Sequence, residues 1–152
     1  MTEPARLSAV DDMVEVEYHR FTLQVFDSPH TAAAIQPPGP QDWLVAGGPG
    51  GVLFHSAGND HTAAVRLELW ASPPVREPGE WEAVAEDDFT ADFDRLLLAS
   101  FTSAPGQHVL TLPAPGAHRV RAYVRGRTAI EAAGPVSFAE GIERWLVQIW
   151  PA

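Results

Sequence analysis

Helical periodicity is missing from this chain. Its apolar residues recur at every second position in short runs, and none keeps the i, i+3, i+4 spacing of an amphipathic helix for more than one turn. Val65, Leu67 and Leu69 alternate with Arg66 and Glu68, and Val120, Ala122 and Val124 alternate with Arg119, Arg121, Tyr123 and Arg125. Successive side chains of a strand point to opposite faces, so each run reads as a half-buried strand. The fourteen Pro and twelve Gly fall mostly between the runs, where they act as turn punctuation. Short strands with turn signals about every ten residues, and no helices between them, exclude a parallel α/β sheet. The expected fold is all-β: a single-domain, mostly antiparallel β-sandwich of jelly-roll type with about eight strands.

Strands are expected over residues 13–26, 43–46, 52–56, 61–70, 81–89, 95–101, 108–112, 118–127 and 144–150. The first region changes phase. Val14, Val16 and Tyr18 share one face, whereas beyond His19 the apolar set becomes Phe21, Leu23 and Val25. A period of two flips only at an extra residue or a change of sheet, so a bulge or bend is expected near Tyr18-His19. The loop over residues 28–41 has room for one helical turn at 31–35. Residues 1–12 are unpatterned and read as a flexible arm, leaving residues 13–152 as the domain. The segment Arg144-Trp145-Leu146-Val147-Gln148-Ile149-Trp150 is strongly strand-like. Trp145, Val147 and Ile149 share its core face, so clipping the last residues is expected to unfold the protein.

Composition narrows the chemistry. The 152 residues are 45% hydrophobic, enough for a core without covalent staples. Twenty acids stand against ten cations, a formal charge of −10, which argues against direct nucleic-acid binding through phosphate neutralisation. All ten cations are Arg. The absence of Lys excludes P-loop and Schiff-base chemistry, and the absence of Cys excludes disulfides and thiolates. No signal-peptide pattern and no apolar run long enough to span a membrane is present, so a cytoplasmic location is expected. Gly47, Gly48, Gly50 and Gly51 surround Pro49 but lead into the strand-like Val52-Leu53-Phe54, which reads as a hairpin and not as a phosphate cradle. His55, Asp60 and His61 lack the spacing of a ligand set, and no Ser sits in a nucleophile elbow. The expectation is a non-catalytic protein with no metal and no cofactor.

Two charge features remain. Glu77, Glu80, Glu82, Glu86, Asp87, Asp88, Asp92 and Asp94 follow one another with no basic residue among them. A surface dense in carboxylates steers a basic protein onto itself, so Glu86, Asp87, Asp88, Asp92 and Asp94 are the candidate partner-binding residues. Arg119, Arg121, Arg125 and Arg127 share one strand face. They either pair with the acidic strand or form an anion-binding face. Five Trp add a further option: Trp70, Trp81 and Trp150 sit at strand ends, where exposed indoles can stack on sugars or anchor an interface.

The segment Val14-Glu15-Val16-Glu17-Tyr18-His19-Arg20-Phe21-Thr22-Leu23 resembles the start of the competence-associated inhibitors of the DNA-entry nuclease, which carry a similar Tyr-His-x-Phe-Thr stretch. The later strand pattern is similar as well. A strand like Val65-Arg66-Leu67-Glu68-Leu69 precedes an acidic hairpin, then a turn like Leu112-Pro113-Ala114-Pro115-Gly116, then two closing strands. The resemblance covers roughly 110–130 residues in pattern, and the Arg-rich strand, the glycine loop and the Trp-Pro-Ala terminus depart from it. It implies an acidic inhibitor or immunity-type protein that occupies the basic surface of a nuclease. The alternative is a small-ligand or carbohydrate-binding sandwich using exposed Trp and the Arg face. A hydrolase would need a cleft of clustered, perturbed ionisable groups. Exposed sheet edges leave a dimer open.

Overall fold

The computed structural model describes residues 3–39, 42–102, 104–135 and 138–152. Ten strands carry the fold: β1 (Arg6–Glu17), β2 (Arg20–Val25), β3 (Val45–Gly48), β4 (Gly51–His55), β5 (Asp60–Trp70), β6 (Ala83–Ala91), β7 (Arg95–Ser100), β8 (Pro105–Thr111), β9 (Gly116–Arg125) and β10 (Glu140–Pro151). A 3-10 turn (Ala32–Ala34) lies in the long loop as expected, and a short helix α1 (Arg127–Ala132) follows β9.

All ten strands belong to one hydrogen-bonded sheet in the order β3-β4-β2-β1-β5-β10-β9-β6, with β7 on the other edge of β2 and β8 beyond it. Every strand pair is antiparallel except β5 with β10. The sheet folds over at the β1–β2 hairpin. There β2 meets β1 only through Glu17 and Arg20, then pairs with β4 and β7 on its two edges, while β1 runs on against β5. The inner faces of both halves close on one core. At its centre Phe21 and Phe54 stack at 4.7 Å and Trp145 stands edge-on to both.

The seams nearly close the sheet into a barrel. Gly47 N–H donates to the Asp87 carboxylate at 2.9 Å and Gly50 N–H to the Thr90 carbonyl at 3.0 Å, joining β3 to β6. A Cβ on Gly47 would collide with the Asp88 carbonyl oxygen, so only glycine allows that approach. On the other side, Asp12 accepts N–H bonds from Gln107 and His108 and ties β8 to β1.

Several expectations are corrected. Ten strands form one continuous, barrel-like sheet, and its hydrogen bonding does not separate into the two layers of a jelly-roll sandwich. Within the expected arm, residues 6–12 are the first part of β1. Backbone pairing with β5 orders them without an apolar pattern, because the outward side chains Leu7, Ala9 and Asp11 need no burial. The bend expected near Tyr18-His19 is present and is a two-residue hairpin turn: Tyr18 and His19 have φ of 56° and 64°, the left-handed pair of a type I′ turn. The Arg-rich strand ends at Arg125, because Gly126 turns left-handed at φ 84° and starts α1.

Candidate functional site

The alternation of β6 sends Glu86 and Asp88 to the outer face, opposite Arg121 and Arg119 of β9. Arg119 donates to Asp88 at 2.8 Å and to Glu86 at 3.0 Å, and Arg121 donates to Glu86 at 3.0 Å. Burial would raise the Glu86 carboxyl, but the hydrogen bonds from Arg119 and Arg121 outweigh it and hold its pKa below the usual value. Asp87 takes the Gly47 and Asp88 N–H groups and fastens the β3–β6 seam. Glu86 and Asp88 are thus paired with cations, and Asp87 is held by backbone N–H groups.

Asp92 and Asp94 differ. They flank Phe93, 46% exposed, in the turn between β6 and β7. Ser28 donates to Asp92 at 3.1 Å and draws in the end of β2, where Phe26 is 42% exposed beside Asp27. The Arg95 guanidinium lies over the Phe26 ring at 4.6 Å and 4.0 Å from Asp27. One end of the barrel therefore presents two Phe rings and the carboxylates of Asp27, Asp92 and Asp94, with the Arg95 guanidinium set between Phe26 and Asp27.

The predicted Arg face is not assembled. Arg119 and Arg121 are neutralised, and Arg121 also donates to the Pro74 carbonyl and lies over Trp150. Arg127 stands on α1 and donates to the His55 carbonyl at 3.0 Å. Arg125 lies over the Trp81 ring at 5.3 Å and has no carboxylate partner among the described residues. Trp145 and Trp150 are buried and Trp70 is half-buried. Trp81, also half-buried, lines a trough of about 560 Å³ on the outer face, the concavity that a ligand-binding reading requires.

The opposite barrel end carries the Tyr18-His19 turn. Tyr18 is 68% exposed and stands edge-on to Phe101 at 6.2 Å. Arg20 lies over Trp43 and Phe101, and His55 stacks on Trp43 at 4.9 Å. Beneath them are Ser56, His61 and Glu143, all buried. Ser56 Oγ is 2.8 Å from His61 Nε2, and Glu143 Oε1 is 3.9 Å from the same nitrogen. An acid–His–Ser relay needs the acid on the other ring nitrogen. His61 Nδ1 instead has no hydrogen-bond partner among the described residues. Ser56 Oγ also accepts Gly58 N–H, and no part of Ser56 reaches solvent. The trio is a structural clasp: Glu143 accepts the Ala57 N–H at 2.9 Å and the Trp145 indole N–H at 2.8 Å. Burial lowers the pKa of His55, with Arg127 and His19 adding to it, and burial lowers His61 against the opposing pull of Glu143. His55, Asp60 and His61 do not converge, and no group of three metal-ligating side chains occurs among the described residues.

Glu143 and Glu68 escaped the sequence reading. Glu143 is in phase with Trp145, Val147 and Ile149, but it lies one residue before the expected strand, so the alternation was not carried back to it. Glu68 was read correctly as outward, yet it is 6% exposed, because residues 71–81 fold across this face. It accepts from Gln148, Arg66 and Trp70; burial would raise its pKa, and these bonds hold it down.

No protein-family model matches this sequence, and no curated protein matches it. Two solved structures do match along nearly the whole length. One is ComJ, inhibitor of the DNA-degrading activity of NucA, from Bacillus subtilis, at 13% identity and TM-score 0.60, covering 99% of this chain and 100% of that one. The other is crocagin biosynthetic gene J, at 16% identity and TM-score 0.64, covering 97% and 98%. The resembling stretch has a structural explanation. Tyr18 and His19 make the turn that folds the sheet over, Phe21 stacks in the core, and Thr22 donates to the Ala99 carbonyl of β7 at 3.3 Å. From end to end this chain shares the fold of that nuclease inhibitor.

Proposed function

We propose that this chain is a non-catalytic, acidic binding protein that inhibits a basic nuclease in the cytoplasm. The observation that carries the reading is the end-to-end fold shared with a nuclease inhibitor. Fold alone does not set function, and a protein of crocagin biosynthesis has the same one. The surface supplies the second support. A nuclease presents cations to hold phosphates, and an acidic end can occupy them in place of the substrate. Asp92 and Asp94, with Asp27, supply the charge, and Phe93 and Phe26 supply apolar anchors between them. Glu86 and Asp88 are paired with Arg119 and Arg121 and add little to the field.

The test captures binding proteins from native cytosol at low salt, elutes them with a salt gradient and assays the eluate for DNA degradation. A captured nuclease that is silenced by stoichiometric added protein supports the proposal. Asp92→Asn with Asp94→Asn is then expected to slow association and flatten its salt dependence. Failure to capture nuclease activity, or captured activity that excess protein leaves unchanged, refutes it.

A further inference from the structure

The register lays the outer-face side chains in rows that cross β1, β5, β10 and β9. One row reads Asp11, Arg66, Leu146, Tyr123 and the next Ala9, Glu68, Gln148, Arg121, continued by Glu86 on β6. In these rows cations meet carboxylates. Arg66 pairs with Asp11 and Glu68, Arg121 with Glu86, and one row further Arg119 with Asp88. The row Met13, Ala64, Arg144, Arg125 breaks this order. Two Arg stand directly opposite each other on adjacent strands, and neither has an ion-pair partner among the described residues. Like charges so placed repel. The chain carries twice as many acids as cations, so this row is not short of charge for lack of carboxylates. Four carboxylates also line the trough: Asp11 and Glu68 pair with Arg66, Asp12 accepts the Gln107 and His108 N–H groups, and Glu77 forms no ion pair with either Arg.

The hollow beside the pair has the size of a small-molecule site, about 560 Å³. Ala64 is the small residue of its row and leaves the floor low, with Leu146 next to it. Trp81 forms a wall and holds the Arg125 guanidinium at 5.3 Å from its ring. Guanidinium groups match carboxylate and phosphate oxygens through paired N–H donors. An oxyanion between Arg125 and Arg144 would satisfy both and cancel their repulsion, and a flat apolar body would lie on Ala64 and Leu146 against the indole.

We propose that Arg125 and Arg144 form the anion-holding end of a ligand site in this trough, and that the ligand is a small organic oxyanion, a carboxylate or phosphate, with a flat apolar body. The inference does not rest on the inhibitor reading, because the trough lies at the far end of β9 from the Asp92–Asp94 turn. The full-length protein is titrated by calorimetry with 2-naphthoate, 2-naphthyl phosphate and the neutral 2-naphthamide. At least one anion is expected to bind tenfold or more tightly than the amide, and the tighter of the two identifies the head group. Arg144→Gln and Arg125→Gln are each expected to weaken that binding tenfold or more. Without probe, Arg144→Gln is expected to melt at the wild-type temperature or above it, since it removes a repulsion. Ala64→Phe, which fills the floor, is expected to abolish binding. The proposal is overturned if neither anion binds at millimolar concentration, if the amide binds as well as the anions, or if Arg144→Gln melts lower without probe.

Discussion

Glu143 offers the sharpest test of how this barrel is held together. Its carboxylate has no solvent exposure and accepts two N–H groups, from the Ala57 backbone and the Trp145 indole. Arg127 and His61 each approach it at 3.9 Å. A buried donor left without an acceptor costs about 1–3 kcal/mol, and breaking a buried charged cluster by removing one member costs about 3–5 kcal/mol. Glu143→Ala strands both donors and leaves a void, so the larger range applies. Glu143→Gln keeps the shape and one acceptor but turns its NH2 toward one of the two donors, which gives about 1–3 kcal/mol. In a protein of this size each kcal/mol moves Tm by roughly 2–4 °C, so the alanine variant should melt on the order of 10 °C lower. Urea unfolding followed by Trp fluorescence measures both, with an unchanged m-value as the check on a two-state comparison. Trp145→Phe removes one donor. In that background Glu143→Gln should cost about 1 kcal/mol less, since the amide oxygen can then serve Ala57 alone. A Glu143→Gln variant as stable as wild type, or a double variant with no coupling, would refute the two-donor account.

Three further outcomes follow from the same structure. Gly47→Ala drives a methyl group into the Asp88 carbonyl and should cost about 2 kcal/mol or more by opening the β3–β6 seam, measured by chemical denaturation. Tyr18→Asn places a residue that tolerates left-handed φ in the hairpin turn. It should raise stability by about 0.5–1 kcal/mol, and a lower Tm would show that the contact with Phe101 outweighs the strain. The pH dependence has a defined sign. Burial holds His55 and His61 below their unfolded value of 6.5, and hydrogen bonds hold Glu68 below 4.5 despite burial. The unfolded chain therefore binds more protons, so this stability is complete above pH 6.5 and is lost as pH falls, through the histidines first and Glu68 below 4.5. Tm should decline from pH 6.5 toward 4, and His55→Gln should flatten the upper part of that decline. A Tm that stays level from pH 8 to 5 contradicts it.

Strand positions were legible because each rests on local alternation, and nearly every expected run became a strand. Pairing was not legible, because it depends on which edges meet in space. Residues 6–12 have no apolar pattern, yet they complete the free edge of β5 through backbone bonds that no side-chain pattern advertises. The long Arg strand was cut at Gly126, whose left-handed φ ends β9 and moves Arg127 onto a helix. Glu68 was assigned to the correct face and the wrong environment, because the segment that covers it lies beyond the strand. Glu143 alone was readable in advance, as a carboxylate on the inward phase of an otherwise apolar strand.

Register also decides what the charges can do, and it divides the two proposals spatially. As a string of letters, residues 77–94 form one acidic block and residues 119–127 one basic block. Antiparallel pairing of β6 with β9 sets the middle of one block against part of the other, Glu86 on Arg121 and Asp88 on Arg119, and removes both from the surface charge. What survives lies at the ends. The turn after β6 keeps Asp92 and Asp94, and the final residue of β9 keeps Arg125, which β10 doubles by placing Arg144 opposite it. Asp92 and Asp94 therefore stand at the β6–β7 turn, and two Arg without ion-pair partners among the described residues stand at the Trp81 end of β9, with Glu77 in the same trough. On the two proposals, a basic protein would meet the first end and a small oxyanion the second. Charge reversal at one end, Asp92→Arg or Arg144→Glu, should therefore abolish its own partner's binding and leave the other's within about twofold, because the ends lie on opposite sides of a neutralised stretch and are screened from one another at physiological salt.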